Sequence, residues 1–148
     1  MSYTNLIYHI VLGTHKRERV IFVSHERELY SFMYKFLMER GIKIYRIGGM
    51  PDHVHILCEI PSKYSVSEIV RILKSETSKF MSANSHFNCW SKWGEGYGAF
   101  TVSMGDIDRV RQYIANQKVH HTHDSFEAEF RQLLIENGLA LDELPFVR

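Results

Sequence analysis

Residues 42–60 read IKIYRIGGMPDHVHILCEI, and this stretch decides how the chain folds. Ile42 to Ile47 is dense in β-branched and aromatic residues and predicts a strand. Gly48 to Asp52 predicts a tight turn of about four to five residues, and His53 to Ile60 the returning strand of a hairpin. Pro61 closes the unit. A helix is predicted on each side of it. Upstream, Ser24 reads as a cap, and Leu29, Phe32, Met33, Phe36 and Leu37 recur at helical spacing to about Arg40, where Gly41 is a natural stop. Downstream, Ser65 and Glu68 form a capping box. The helix they open carries Val66, Ile69, Val70, Leu73, Phe80 and Met81 on one apolar stripe.

Further out, Tyr3 to Thr14 predicts a strand with Leu6, Tyr8, Ile10 and Leu12 on one face and Ile7, His9 and Val11 on the other. Both faces are largely apolar, which places the strand in the middle of a sheet. A segment containing Trp90, Trp93, Gly94, Gly96 and Gly98 leads into a strand from about Tyr97 to Met104. Asp106 starts a helix reaching roughly Lys118, His120 to Asp124 breaks it, and Ser125 to Asn137 forms a last amphipathic helix ending at Gly138. The order β-α-β-β-α-β-α-α predicts an α+β protein. Its first six elements match the split βαβ, or ferredoxin-like, arrangement: an antiparallel sheet with two helices on one face. That topology serves many functions and selects none.

The 148 residues fit one domain, 1–148, and an apolar content of 45% suffices for a continuous core. With 18 Lys and Arg against 17 Asp and Glu, the net charge of +1 provides no global field for nucleic acid, so any such binding must use a local patch. Cys58 and Cys89 are isolated and match neither a metal knuckle nor a disulfide framework, which points to a reducing compartment. No apolar run approaches the roughly 18 residues of a membrane span. The amino-terminal charges follow the apolar stretch, the wrong polarity for a signal peptide. The expectation is a soluble, cytoplasmic protein of a bacterium or archaeon with no membrane partner.

Two groups of residues carry chemistry. His53 and His55 alternate on a strand, so both imidazoles project from one face about 7 Å apart at Cα and can converge on a cation. The plain alternative is a half-exposed strand that happens to show two histidines. Tyr113 and Gln117 lie four residues apart on a helix, hence on one face, with Arg109 one turn earlier. They read either as a nucleophile with a ligand beside it or as a surface tyrosine packed along polar stems.

Taken together and in order, these residues resemble the single-tyrosine HUH (histidine, hydrophobic, histidine) transposases of small bacterial insertion sequences, the IS200-like family. Tyr8-His9-Ile10-Val11 and Thr14-His15-Lys16-Arg17 resemble its opening strand and basic turn. Met50-Pro51-Asp52-His53-Val54-His55-Ile56-Leu57 resembles its metal strand, and Tyr113-Ile114-Ala115-Asn116-Gln117 its nucleophile helix. Lys63 to Ser67, Leu73-Lys74 and Trp93 to Tyr97 add to the likeness, which spans nearly the whole chain. The glutamine after the tyrosine favours the insertion-sequence branch over the related proteins of repetitive palindromes.

The resemblance implies that Tyr113, on a carboxy-terminal helix added to the ferredoxin-like body, attacks a phosphodiester in single-stranded DNA bearing hairpin ends. It implies a covalent 5′-phosphotyrosine and a divalent metal held by His53, His55 and Gln117. Mixed nitrogen and oxygen donors suit Mn²⁺ and permit Mg²⁺, the expected ion in use, while zinc stays chemically open. It also implies a homodimer in which a tyrosine helix can serve the partner's histidines. Lys16, Arg17, Arg19, Lys74, Lys79 and Arg109 are candidate DNA contacts, with solvated surface charge as the alternative for each. Phe87, Trp90 and Trp93 are candidates for stacking on bases, although packing is the simpler role. The competing functions are a zinc hydrolase, another HUH nuclease such as a replication initiator or a domesticated copy, and a non-catalytic nucleic-acid-binding module.

Overall fold

The computed structural model describes residues 1–121 and 125–139. Strands β1 (Ile7–Gly13), β2 (Lys43–Met50), β3 (His53–Glu59) and β4 (Gly98–Thr101) form one antiparallel sheet in the order β2-β3-β1-β4. Helices α1 (Glu26–Met38) and α2 (Val66–Ser82) connect the strands, and α3 (Ile107–Ala115), α4 (Gln117–His120) and α5 (Phe126–Glu136) follow β4. The first six elements are the expected ferredoxin-like α+β arrangement, with β1 held between β3 and β4.

Strand alternation sorts the core into two sides. Ile10 and Leu12 of β1, Ile44 of β2 and Val54, Ile56 and Cys58 of β3 pack with Leu29, Met33 and Phe36 of α1 and Ile69, Val70 and Leu73 of α2. On the other side, Ile7 and Leu57 meet Ile107, Val110 and Ile114 of α3. Val11 and Phe100 meet Phe126, Phe130, Leu133 and Leu134 of α5. The two-sided apolar pattern of β1 therefore has a direct cause: α1 and α2 cover one face and α3 and α5 the other. Each such side chain contributes roughly 1.5–3 kcal/mol when fully buried.

Several boundaries differ from expectation. β1 starts at Ile7, and residues 1–6 are exposed rather than part of the strand. α1 begins at Glu26 with His25 in the capping position, so Ser24 is not the cap. Ser65 does cap α2, its hydroxyl accepting from the Glu68 amide at 3.1 Å. β4 is only four residues long.

The hairpin turn is shorter than expected, because Gly48 and Gly49 stay in β2, paired with His55 and Val54, and only Pro51 and Asp52 turn. These glycines do not shape a turn; they permit close approach. A Cβ on Gly49 would sit 2.2 Å from the His53 carbonyl oxygen.

The helix from Asp106 to Lys118 is two pieces. Asn116, at φ −94° and ψ 15°, leaves helical geometry between α3 and α4. Ser125 caps α5 by accepting from the Ala128 amide, and Gly138 at φ +77° ends that region. Of the expected break from His120 to Asp124, residues 122–124 lie outside the described residues. No helix among the described residues is long and apolar enough to cross a membrane.

Candidate metal and nucleophile site

The alternation of β3 directs His53 and His55 to the α3–α5 face, and both are fully buried there. The half-exposed strand is thus not what the histidines occupy. Each has its outer ring nitrogen engaged. His53 Nδ1 lies 2.8 Å from Asp52 Oδ1, and His55 Nδ1 lies 2.8 Å from Nε2 of the buried His9. Partners of this kind fix ring orientation and leave Nε2 directed inward, as metal-bound histidines require.

The inward nitrogens converge. His53 Nε2 stands 2.9 Å from Gln117 Oε1 and 3.2 Å from Glu129 Oε1, and His55 Nε2 stands 3.2 Å from the same Glu129 oxygen. His121 Nε2 reaches that oxygen at 2.9 Å. The other carboxylate oxygen, Glu129 Oε2, accepts from Gln117 Nε2 at 2.7 Å and from the Tyr113 hydroxyl. The Tyr113 ring stands edge-on to His55, with centroids 5.7 Å apart. Gln117 and Glu129 are buried with the histidines, while Tyr113 at the edge of the cluster is half-buried.

Gly13 makes this packing possible. It pairs with His53 across the sheet, and a Cβ there would meet the Phe126 ring at 2.9 Å. In its absence Phe126 stacks on the His53 ring, with centroids 4.1 Å apart and planes 7° apart. Gly98 leaves similar room for Phe130. α5 is thereby seated directly on the histidines, and Glu129 enters the site from it.

The electrostatics follow from burial among coupled groups. Burial pushes the His9 pKa down to about 3, with His55 adding to the effect, so His9 is neutral and can accept from His55. Burial likewise lowers His55 despite the Glu129 carboxylate. For His53 burial is the largest influence, but the hydrogen bonds to Asp52 and Glu129 outweigh it and lift the pKa. Burial opposes the charge on Glu129 too, yet bonds from His121, His53 and His55 hold its pKa below the usual carboxylate range. Tyr113 is pushed up, first by burial and then by the charge of Glu129. Its hydroxyl stays protonated and donates to that carboxylate.

His53, His55 and Glu129 offer ligand atoms within 4.8 Å of one another. Two imidazoles and a carboxylate, with the Gln117 amide oxygen beside them, suit a first-row divalent ion. The structure therefore brings Tyr113, His53, His55 and Gln117 together, as the family resemblance implies, whereas spacing alone puts only each pair on one face. His9, Asp52, His121 and Glu129 join them unforeseen. Asp52 was legible as the neighbour of His53, whereas a lone glutamate on an amphipathic helix carries no sequence signal of its own.

The candidate DNA contacts lie on separate elements. Lys16 and Arg17 form a turn in left-handed conformation, at φ 54° and 56°, lining a cleft with Gly94, Glu95 and Tyr97. Arg19 is exposed nearby in sequence. Lys74 donates to the carbonyls of Gly94 and Gly96 and so braces that loop. Lys79 and Arg109 are exposed, each 3.6 Å from a carboxylate one turn away, Glu76 and Asp106. Phe87 and Trp93 are core residues, and the indoles of Trp90 and Trp93 donate to Ser78 and Thr77. A groove of about 620 Å³, lined by Arg27, Arg46, Gln117 and Lys118 among others, adds cations that periodicity did not single out.

Comparison with known proteins agrees with this geometry. The family profile described as "Transposase IS200 like" matches residues 2–117. The transposase for insertion sequence element IS200 of Salmonella typhimurium is 29% identical over 123 residues, covering 76% of this chain and 77% of that one. The ISDra2 transposase TnpA of Deinococcus radiodurans is 23% identical over 117 residues, covering 76% and 84%. Among solved structures, a Deinococcus radiodurans chain assigned as a transposase superposes with a TM-score of 0.62 at 26% identity, covering 78% of this chain and 93% of that one. A REP-associated tyrosine transposase bound to a REP hairpin shares the fold, with a TM-score of 0.62 at 15% identity, covering 82% and 72%.

Proposed function

Because the chain belongs to the IS200-like transposase family, we propose that it acts as a single domain that cuts and rejoins single-stranded DNA at insertion-sequence ends, with Tyr113 as nucleophile. One observation carries the reading: the Tyr113 hydroxyl and the His53–His55 pair meet on a single buried carboxylate, so nucleophile and metal donors share one site within one chain.

In this reading the Tyr113 oxygen forms a bond to phosphorus and the 3′ oxygen leaves with a proton. The products are a 5′-phosphotyrosine and a free 3′-hydroxyl. The ester is conserved, so rejoining by the reverse attack needs no external energy source. His53, His55 and Gln117 hold a divalent ion, Mg²⁺ in use and Mn²⁺ as a substitute. When bound it supplies Lewis-acid polarisation of the phosphoryl oxygen. Asp52 and His9 keep the two imidazoles turned inward. Lys16, Arg17, Arg19, Lys74, Lys79 and Arg109 are proposed to meet DNA phosphates, Lys16 and Arg17 from the mouth of their cleft. The working unit is a homodimer in which α3 can serve either its own histidines or those of the second copy.

The test mixes the full chain with labelled single-stranded DNA from the ends flanking its gene, with and without Mg²⁺. The expected result is a covalent protein–DNA band on a denaturing gel that EDTA abolishes. Tyr113→Phe should lower cleavage by roughly 10³-fold or more and remove the band. Undiminished cleavage by Tyr113→Phe would refute the tyrosine mechanism. DNA binding that survives both EDTA and His53→Ala, with no adduct, would identify a binding module instead.

A further inference from the structure

We infer that Glu129, carboxy-terminal to the family match, completes the metal centre and also positions Tyr113. The inference rests on the two-histidine metal reading above and extends it to a part of the chain outside residues 2–117.

The first argument is spacing. Adjacent ligands around a six-coordinate ion at about 2.1 Å lie √2 times that distance apart, roughly 3.0 Å. Glu129 Oε1 is 3.2 Å from His53 Nε2, 3.2 Å from His55 Nε2 and 2.9 Å from His121 Nε2, and Gln117 Oε1 is 2.9 Å from His53 Nε2. His53, His55 and Glu129 thus present donor atoms within 4.8 Å of one another, with Gln117 Oε1 beside them, a spacing that one ion can span.

Stoichiometry of lone pairs is the second argument. Three ring nitrogens crowd one carboxylate oxygen, which has lone-pair sites for about two hydrogen bonds. A hydrogen-bond network would spread these nitrogens over both oxygens. Oε2 meanwhile accepts from Tyr113 and Gln117. The division fits a carboxylate that faces an ion with one oxygen and orients the nucleophile with the other.

Charge supplies the third. His53, His55 and Gln117 form a neutral donor set, which holds a divalent cation in a buried site weakly. Glu129 is the anion in direct contact with all of them. Four protein donors leave open positions for a substrate oxygen, next to the hydroxyl that Glu129 holds.

Mn²⁺ binding to the purified full chain tests this without any reaction, by titration calorimetry or by loss of the free-ion paramagnetic resonance signal. The wild type should bind Mn²⁺ at this site, and His53→Ala should weaken it. Glu129→Gln should weaken it by about 10–100-fold, with helix content in EDTA unchanged. Should that variant not fold, Glu129→Asp, which keeps the charge but withdraws the carboxylate, makes the same comparison, with an expected loss of about tenfold. Mn²⁺ affinity of folded Glu129→Gln within twofold of wild type would overturn the inference and leave the two-histidine reading standing. Faster DNA cleavage by that variant at unchanged Mn²⁺ affinity would overturn it too, by showing that Glu129 occupies the substrate's place. A wild type indifferent to His53→Ala would sink both.

Discussion

Replacing Gly49 by alanine perturbs the site through the backbone of His53 and alters none of its side chains. The new methyl carbon would lie 2.2 Å from the His53 carbonyl oxygen, 3.0 Å from Val54 Cα and 3.1 Å from the His53 carbonyl carbon. All three obstacles are backbone, so no rotamer change relieves them. Reaching even a 3.0 Å contact requires β2 and β3 to part by 3.0 − 2.2 = 0.8 Å at His53. Overpacking of a closed core commonly costs about 1–3 kcal/mol, and a rigid obstacle puts this variant near the upper end. At about 4 °C per kcal/mol for a chain of this size, the melting temperature should fall by roughly 10 °C. The displaced backbone carries His53, and misplacement of about 1 Å costs on the order of 10²-fold in rate. Differential scanning calorimetry and single-strand cleavage read the two effects. Gly105→Ala is the control, since nothing lies within 4 Å of its added carbon and its φ is not positive. A Gly49→Ala chain that melts within 2 °C of wild type, or cleaves at the wild-type rate, would refute the close-approach argument.

The two thiols should separate in a titration with a chromogenic disulfide at pH 8. Exposed Cys89 reacts at once, and buried Cys58, its pKa pushed up to about 12 by burial, reacts only in denaturant. Two equivalents reacting rapidly under native conditions would contradict its burial. Because the folded thiol value is raised, this group's contribution to stability is full below the unfolded value near 9 and is lost as pH climbs toward 12. Ser65→Ala removes the acceptor at the start of α2 and should cost about 1 kcal/mol in urea unfolding, with the DNA-cleavage rate unchanged. No change in the urea midpoint would show that the Glu68 amide finds another partner.

Periodicity and punctuation were enough for much of this protein. A period of two in β1 and β3, a period near 3.6 in α1, α2 and α5, the Ser65 and Ser125 caps and the glycine stops at Gly41 and Gly138 are local signals. Each acts within a turn or two of chain, and so each is legible in order. The same holds for His53 with His55 and Tyr113 with Gln117, whose spacing alone puts each pair on one face. Gly48 and Gly49 misled for an equally physical reason. A glycine pair is the strongest local sign of a turn, but here pairing with β3 and the nearness of its backbone decided the conformation. Tertiary structure alone joined the two pairs. It set Gly13 opposite His53, seated Phe126 in the space left, and so delivered Glu129 and His121 to histidines more than sixty residues earlier in the chain. Contacts over such separations leave no periodic trace, because nothing about a glutamate on an amphipathic helix states which sheet face that helix will cover.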